Sequence, residues 1–254
     1  MNSGRPITVA SYNMRKAVGL DRRRDPRRVL DVLHEIDADV VALQEADKRV
    51  GGRGSAIPHE LIDSHSHYKA VHLGVRHKRP LEKVRRHTDR LLKIDTRNIG
   101  WHGNAILVKP DIGVLDCAAV DLPTLEPRGA VIAELLIDDR PFRVVGMHLD
   151  LSGLWRRRQI RAILAEVERR PMKMPTVLMG DTNEWRTVAG CLKELDGQFR
   201  IAPTGPSFHA RHPVAQLDRI IVEKDLNIEA AGVHMSPAAR RASDHLPIWA
   251  RVSA

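Results

Sequence analysis

The stretch VLMGDTNEW, residues 177–185, joins an apolar run to side chains that bind metals or transfer protons. Its first half is typical of a short buried strand, and we expect Gly180 to end that strand. Asp181 and Asn183 would then leave the sheet together in a turn. The same residues also fit an Asx turn that caps a helix beginning near Glu184.

Five other stretches share this arrangement, with polar, metal-binding or proton-transferring groups directly after an apolar run. They are SYNM (residues 11–14), LQE (43–45), MHLD (147–150), QLDRI (216–220) and SDHLP (243–247). Because such groups recur at several predicted strand ends, the sequence favours a catalytic site over a single capping turn.

Three of these residues predict a metal site made of oxygen ligands. Glu45 and Asp244 supply carboxylates and Asn13 a neutral oxygen, all at predicted strand ends. This set suits Mg²⁺ or Mn²⁺, which bind through one or two carboxylates and keep water and phosphate ligands. Zinc is disfavoured, and Cys117 and Cys191 fit two buried thiols. Glu45 alone would also fit an ordinary surface acid.

Two histidines are candidates for contacts with a phosphoryl oxygen. His245 lies at the mouth of a buried strand, where Asp218 can bind its second nitrogen and fix it as a charged hydrogen-bond donor. A structural histidine and an Asp218–Arg219 salt bridge are the alternatives. His148 follows the apolar run VVGM and fits either a polar strand end or a histidine satisfied within the core.

The elements that position these groups begin with a crossover unit. The pattern predicts a strand over Ile7–Met14, a helix over Pro26–Ile36 and a second strand over Asp39–Glu45. A strand, helix and strand in this order place Asn13 and Glu45 at the same sheet edge.

Further along the chain, strands outnumber helices. We predict an antiparallel run of strands over Asn104–Lys109, Ile112–Leu122, Ala130–Ile137 and Phe142–His148, followed by a surface helix over Leu154–Val167, a short helix over Val188–Leu195, and strands over Ala215–Val222, Asn227–Val233 and Leu246–Val252. The expected fold class is α/β, with two packed sheets flanked by helices.

The composition predicts one domain over residues 1–254, with a basic insertion around residues 76–97. No apolar run approaches the roughly 18 residues of a membrane span, and no signal-type segment is evident. We therefore expect a soluble, cytoplasmic protein, with no obligate protein partner evident.

The formal net charge is +9, from 41 basic and 32 acidic side chains. Nine Lys/Arg face three acids between Arg76 and Arg97, where Val84–Leu92 fits a basic helix, and smaller arginine clusters lie at residues 22–28 and 156–161. Such patches favour nucleic acid or anionic phospholipid, although they also fit a merely solubilising surface. Aromatic residues are only 4% of the chain, so the sequence does not support a base-stacking platform.

Taken together, the motifs resemble the endonuclease/exonuclease/phosphatase superfamily. The matching stretches, in the order of that family, are SYNM, LQE, HGNAIL, PRGA, MHLD, GDTN, LDRI and SDHLP. The resemblance covers nearly the whole chain and implies a four-layer α/β sandwich that hydrolyses phosphoesters with a divalent metal. The segments GDTNEW and PSFHARHPVAQLDRI further resemble an uncharacterised bacterial branch of the family.

Roles implied by the resemblance can be assigned to particular positions. Glu45 would be the principal metal ligand, with Asn13 and Asp244 nearby. Asp181 would orient or deprotonate the attacking water, and Asn183 would bind the phosphate.

The resemblance also implies roles around the phosphate. His148 and His245 would stabilise its developing charge, with Asp218 orienting His245. Asn104 and Arg128 would orient or contact substrate, although tight strand packing near Gly103 and Gly129 explains them equally well.

The substrate is less well defined. Residues 180–185 read GDTNEW, which departs from the abasic-endonuclease branch, and no polyphosphate-inositol signature is clear. The leading hypothesis is a nuclease that acts on DNA. The alternative is a phosphodiesterase or phosphatase that acts on a phospholipid head group or a small phosphoester.

Overall fold

The computed structural model describes residues 5–47, 54–73, 100–124, 128–187 and 189–253. The predicted basic insertion and its helix Val84–Leu92 lie outside these residues. None of the helices in the described ranges is long and apolar enough to cross a lipid bilayer.

Strands dominate the described chain. In chain order they are β1 (Ile7–Asn13), β2 (Val40–Gln44), β3 (Lys69–Ala70), β4 (Gly100–Trp101), β5 (Asn104–Val108), β6 (Gly113–Asp121), β7 (Gly129–Ile137), β8 (Arg140–His148), β9 (Thr176–Asp181), β10 (Phe199–Ile201), β11 (Asp218–Glu223), β12 (Asn227–Val233) and β13 (Ile248–Ser253). The helices are α1 (Pro26–Ile36), α2 (His59–His65), α3 (Gly153–Glu168) and α4 (Ala239–Ala242), with 3-10 turns at Arg15–Ala17 and Gly190–Leu195.

The strands form two mixed sheets. The first has the order β12-β13-β1-β2-β5-β3, with β4 paired to β5, and the second has the order β10-β11-β9-β8-β7-β6. Each sheet contains a parallel pair, β1 with β2 and β8 with β9, and the other pairings are antiparallel. The predicted α/β class is therefore confirmed.

The first parallel pair is built by the predicted crossover. Asp25 caps α1 by accepting a hydrogen bond from the backbone N–H of Arg27, and Pro26 occupies the first turn, where no N–H is needed. The helix ends at Asp37 in a left-handed conformation, and the chain returns as β2. Asn13 pairs with Gln44 in the register, so the ends of β1 and β2 lie at one sheet edge, as predicted.

The second parallel pair is built by α3. His148 at the end of β8 pairs with Asp181 at the end of β9, and Asp181 pairs in turn with Asp218 at the start of β11. Three polar residues, far apart in the chain, thus lie next to each other at one edge of the second sheet.

Apolar residues fill three layers between four structural layers. Val9, Ile106, Val144 and Met179 belong to the cluster between the two sheets. A second cluster packs α1 and α2 against the first sheet, and a third packs α3 against the second sheet. The four-layer sandwich follows directly from these three apolar layers.

Some predicted elements were wrong in position or type. The strand at Asn104 is not part of the antiparallel run, because β5 pairs with β2 in the first sheet while β6, β7 and β8 belong to the second. Gly180 does not end β9 but lies inside it. A Cβ there would come within 1.8 Å of the backbone oxygen of Met147, so glycine permits β8 and β9 to lie close together.

The segment after β9 also differs from the prediction. No helix begins near Glu184 in the described residues up to 187. The expected short helix is a 3-10 turn over Gly190–Leu195, and the strand expected from Ala215 begins at Asp218. Ala215 instead forms an isolated β-bridge with Phe208.

Candidate functional site

Asp181 is the centre of the polar cluster. Its side chain is buried, and its Oδ2 accepts a hydrogen bond of 2.9 Å from Nδ2 of Asn13. Its Oδ1 accepts a hydrogen bond of 2.9 Å from the backbone N–H of Asn183, which has a φ of 49°. The Asx turn considered from the sequence is thus present, but it orients Asn183 at a sheet edge and does not cap a helix.

His245 and Asp218 form a buried pair next to Asp181. Nδ1 of His245 lies 2.9 Å from Oδ2 of Asp218, which also accepts a hydrogen bond from the hydroxyl of Ser207. Burial lowers the pKa of His245, but the charge and hydrogen bond of Asp218, together with Asp181 and Asp244, raise it to about 10. His245 is therefore an imidazolium at neutral pH, with Nε2 3.8 Å from Oδ2 of Asp181.

The alternative from the sequence, a salt bridge between Asp218 and Arg219, is not formed in the structure. The guanidinium of Arg219 donates to the backbone oxygens of Asp218, Glu184 and Arg186. The Asp218 carboxylate bonds to Ser207 and His245 instead, an arrangement that suits the predicted role of Asp218 in orienting His245.

His148 also lies next to Asp181. Its Nε2 is 3.5 Å from Oδ2 of Asp181 and 2.8 Å from Nη1 of Arg128. Because an arginine N–H can only donate, the shorter contact makes Nε2 the acceptor, and the longer one is not a hydrogen bond in this arrangement. The structure thus brings His148 and His245 close to one carboxylate oxygen, with Arg128 bonded to His148.

Glu45 and Asp244 each pair with a basic residue of the turn at Arg15–Ala17. Oε2 of Glu45 is 3.1 Å from Nζ of Lys16, and Oδ2 of Asp244 is 3.2 Å from Nε of Arg15. Both basic residues have positive φ angles, 46° for Arg15 and 54° for Lys16. Residues other than glycine rarely adopt this backbone conformation. This turn directs two cations at the two carboxylates that were predicted to bind metal.

Both the nitrogen and the oxygen of the Asn13 side-chain amide form hydrogen bonds within the protein. Besides the bond to Asp181, its Oδ1 accepts a hydrogen bond of 3.1 Å from the backbone N–H of Arg15. Its position between Asp181 and the Arg15–Ala17 turn connects the two acidic regions. Its role as a metal ligand stays a prediction.

Asn183 and Asn104 are both anchored to backbone oxygens. Nδ2 of Asn183 donates to Leu149 at 2.9 Å, and Nδ2 of Asn104 donates to Gly129 at 2.8 Å. The second bond ties β5 in the first sheet to β7 in the second. A Cβ at Gly129 would meet the ring of Trp101 at 2.7 Å, so the strands are tightly packed here. This geometry supports a packing role for Asn104, and substrate contact stays a prediction.

One cluster of buried side chains in the described part of the chain could hold a divalent cation. One oxygen of Asp181, one of Asp218 and one nitrogen of His245 lie within 4.8 Å of one another, which fits a metal ion. Glu45 and Asp244, the predicted ligands, each face a basic side chain, Lys16 and Arg15. Their role as metal ligands stays a prediction.

A buried ionic network supports the loop after β9. Nη2 of Arg156 lies 3.1 Å from Oε2 of Glu184, and both side chains are buried. The prediction that Arg156 belongs to an external arginine patch is therefore wrong. The patch was inferred from sequence spacing, which cannot show that one arginine of α3 turns inward to a carboxylate.

Sequence reasoning also missed Ser207 and Trp185. Ser207 comes eleven residues before Asp218, the aspartate to which it donates, in a stretch whose only signal is the family resemblance. Trp185 lies two residues after Asn183 in the chain, and its side chain is exposed. It belongs to the stretch GDTNEW, from which the sequence alone gives it no role.

Comparison with known proteins identifies the family. A sequence model described as the Endonuclease/Exonuclease/phosphatase family matches residues 10–245, a range that includes every predicted site residue. The Uncharacterized protein YbhP of Escherichia coli (strain K12) is 29% identical over 163 residues, 60% of this chain and 63% of that protein. The chain thus spans less than two thirds of the length of this curated relative.

Solved structures show the same fold over almost the whole chain. TDP2 of D. rerio, complexed with a single strand DNA product, has a TM-score of 0.71 at 16% identity and covers 97% of this chain and 98% of its own. A mannosyl-6-phosphatase of Bacteroides thetaiotaomicron has a TM-score of 0.69 at 17% identity, covering 97% and 99%. At these identities the likeness concerns the fold.

Proposed function

The chain belongs to the Endonuclease/Exonuclease/phosphatase family, and from that membership we propose that it is a divalent-metal-dependent phosphodiesterase whose substrate is DNA. Metal-dependent phosphoester hydrolysis is supported by the family and by the cluster of Asp181, Asp218 and His245. The observation that supports the proposal most is the convergence of Asn13, His148 and His245 on one oxygen of Asp181.

Asp181 is proposed to orient and deprotonate the attacking water. A general base must lie within hydrogen-bond reach of the water and keep a fixed direction. The bonds from Asn13 and from the backbone of Asn183 hold both of its oxygens in place. The carboxylate is also buried, at 2% exposure.

His245 is proposed to donate a charged hydrogen bond from Nε2 to a phosphoryl oxygen. Asp218 accepts from Nδ1 and thereby keeps the proton on Nε2 available for donation. Asp218 acts through His245 and is a positioning residue. A donor of this kind is worth on the order of 10² to 10³ in rate, because it meets charge that develops only in the transition state.

Glu45 and Asp244 are proposed to hold Mg²⁺ or Mn²⁺, with Asn13 next to them. A bound divalent cation would polarise the phosphoryl group and stabilise its negative charge. Before binding, Lys16 and Arg15 neutralise these carboxylates. The same two cations can afterwards contact the substrate's phosphates.

DNA is the preferred substrate because the charge of the chain suits a polyanion. The net charge is +9, and the segment Arg76–Arg97 carries nine basic and three acidic side chains. One protein of the same fold, TDP2 of D. rerio, is complexed with a single strand DNA product. Phosphate contacts from exposed arginines would position a strand across the site.

A second candidate, a phospholipid phosphodiesterase, is favoured by exposed apolar residues. Leu151 and Leu154 follow His148 in the chain and are 66% and 58% exposed, and Val214 in the Phe208–Ala215 loop is 82% exposed. Apolar side chains beside arginines suit an anionic bilayer surface. A small phosphoester dissolved in water would need neither the exposed apolar side chains nor the arginines.

A side-by-side assay tests these alternatives. Supercoiled plasmid, linear DNA, anionic phospholipid vesicles and a small phosphodiester would be incubated with Mg²⁺ or Mn²⁺ and wild-type protein, His245→Ala or His34→Ala. We expect DNA cleavage that His245→Ala abolishes and that His34→Ala, a change on α1, leaves intact. Release of lipid head groups without DNA cleavage would replace the first substrate with the second. Activity that survives His245→Ala would contradict the catalytic assignment.

A further inference from the structure

An aromatic surface extends from His245 to the solvent. The ring of Phe208 lies 4.8 Å from the ring of His245, and the ring of Trp185 lies 6.3 Å from that of Phe208. Trp185 is 64% exposed although it follows Asn183 by only two residues. A large apolar ring is thus held in water one ring away from a proposed catalytic residue.

The backbone that carries Trp185 is pinned on both sides. The guanidinium of Arg219, itself buried, donates to the backbone oxygens of Glu184 at 3.3 Å and Arg186 at 3.4 Å. The buried carboxylate of Glu184 accepts hydrogen bonds from Arg156 at 3.1 Å and from the backbone N–H of Cys191 at 3.3 Å. The exposure of Trp185 is therefore built into the loop by buried charges.

Gly190 shows how closely this loop is packed. It has a φ of 69°, and a Cβ there would lie 2.0 Å from Oε2 of Glu184. Only a glycine lets the chain pass this carboxylate without displacing it. Backbone that is held by these buried contacts has little conformational entropy to lose when a ligand packs on the ring of Trp185.

The shape of the surface suits a planar ligand. The Trp185 and Phe208 rings are inclined at 84°, so they form two walls of a corner. A flat aromatic group that stacks on one wall meets the other edge-on, and both arrangements are favourable between aromatic rings. An acyl chain or a sugar could pack on the apolar area, but it would not gain from the 84° angle between the two rings.

We propose that Trp185 is a specificity-determining residue that stacks on a nucleobase next to the scissile phosphate. This inference rests on the proposed function, because it assumes that the phosphate is held at Asp181 and His245. Stacking is tolerant of sequence, since every base has a π face, and it separates nucleic acid from other polyanions. The positive charge of the arginines cannot distinguish nucleic acid from other polyanions, because it attracts them all.

The test compares two oligomers with equal charge. One is a short deoxythymidine oligonucleotide, and the other has the same length but contains only abasic tetrahydrofuran units. Wild type, Trp185→Ala, Trp185→Phe and Leu115→Ala are assayed on both with Mg²⁺ or Mn²⁺. Leu115 is the control, because it is 49% exposed but lies on β6 at the far edge of the second sheet.

We expect Trp185→Ala to raise KM on the thymidine oligomer roughly tenfold, as the loss of one stacked base predicts. Trp185→Phe should recover most of this loss, and neither change should alter turnover of the abasic oligomer. An equal loss on both oligomers would overturn the proposal, since it would show a role that does not involve bases. Loss of binding to anionic vesicles without loss of the preference for bases would also overturn it.

A binding measurement separates this inference from the proposed function. The oligonucleotide is titrated into wild type and Trp185→Phe in EDTA, and tryptophan fluorescence is recorded. Quenching that is lost in Trp185→Phe supports the stacking role even if the wild type hydrolyses no DNA, an outcome that would remove DNA as the substrate. Equal quenching in both proteins, or none in either, overturns the stacking role while leaving phosphoester hydrolysis in place.

Discussion

Nδ2 of Asn13 lies 2.9 Å from Oδ2 of Asp181, and this hydrogen bond joins residues that are 168 positions apart in the chain. Asn13 ends β1 in the first sheet, and Asp181 ends β9 in the second. The proposed site therefore exists only where the two sheets pack against each other. Any change that alters the sheet packing is expected to alter the orientation of Asp181.

Asn13→Ala is predicted to lower kcat by about 10- to 100-fold, because Asp181 loses the hydrogen bond that fixes Oδ2 and small misplacements of catalytic groups are costly. Steady-state hydrolysis of DNA or of a small phosphodiester measures the effect. Asn227→Ala, on the exposed edge strand β12, is the control and should leave kcat unchanged. Equal rates for Asn13→Ala and the control would show that this bond does not orient the base.

His245 is predicted to hold its proton up to about pH 10, far above its ordinary pKa of 6.5. Asp218→Asn should lower the pKa of His245, because it removes the largest favourable charge. Imidazole NMR titrations of metal-free wild type and variant measure both values. An unchanged titration in Asp218→Asn would remove Asp218 as the source of the raised pKa.

The same shift predicts how stability depends on pH. The folded protein binds the His245 proton more tightly than the unfolded chain, so this contribution is complete below about pH 6.5 and disappears as the pH rises through about 10. Urea unfolding of wild type and Asp218→Asn at several pH values measures it. The difference between the two proteins should shrink at alkaline pH, and a difference that grows there would contradict the assignment.

Lys16→Ala is predicted to tighten Mg²⁺ or Mn²⁺ binding severalfold, because it removes the cation that faces Glu45 at 3.1 Å. Glu45→Gln should have the opposite and larger effect, since it removes a charged ligand. Isothermal calorimetry without substrate measures both, and Lys69→Ala, whose Nζ donates to the backbone of Pro110, is the control. Unchanged uptake in Glu45→Gln would place the metal elsewhere, with the Asp181, Asp218 and His245 cluster as the next position to vary.

Glu184→Gln is predicted to destabilise the fold by about 3 kcal/mol, because it leaves the charge of Arg156 buried without its counterion. Glu194→Gln is the matched control. Its partner Arg161 is 66% exposed, so the loss should be within about 1 kcal/mol. Chemical denaturation of the three proteins measures the free energies of unfolding, and equal values for both variants would show that the buried pair adds nothing to stability.

The basic segment is predicted to contact the phosphates of DNA. Neutralising Lys83, Arg85, Arg86 and Arg90 should reduce the slope of log affinity against log salt by roughly one for each lost phosphate contact. Binding of a labelled duplex at several salt concentrations measures the slope. The salt slope is measured in the same way for a second variant, in which the exposed Arg22, Arg23 and Arg24 are neutralised. An unchanged slope would exclude the segment from the interface.

Much of the local structure could be predicted from the sequence. The helix Pro26–Ile36 was located to the residue, because its cap, its proline and its apolar spacing are all local signals. The shared edge of Asn13 and Glu45 was also predicted, since a strand-helix-strand crossover leaves few topologies. The motifs at the strand ends, read as a family resemblance, identified the fold and the family that comparison confirmed.

Other features depended on contacts between distant residues, and these could not be predicted. Apolar patterning along β5 is the same whichever sheet the strand joins, so its place beside β2 was decided by packing. Arg156 looks like its exposed neighbours in the sequence, but the tertiary fold brings Glu184 within 3.1 Å of it. The aromatic corner of Trp185 and Phe208 likewise joins two loops with no shared sequence signal.

The sequence by itself determined which chemical groups are present and which strand ends carry them, because periodicity and turn chemistry act between near neighbours. Only the tertiary structure decided which of these groups meet. Asn13, His148, Asp181 and His245 come together because two sheets close over one apolar layer, and the free energy of that closure comes from residues spread over the whole chain.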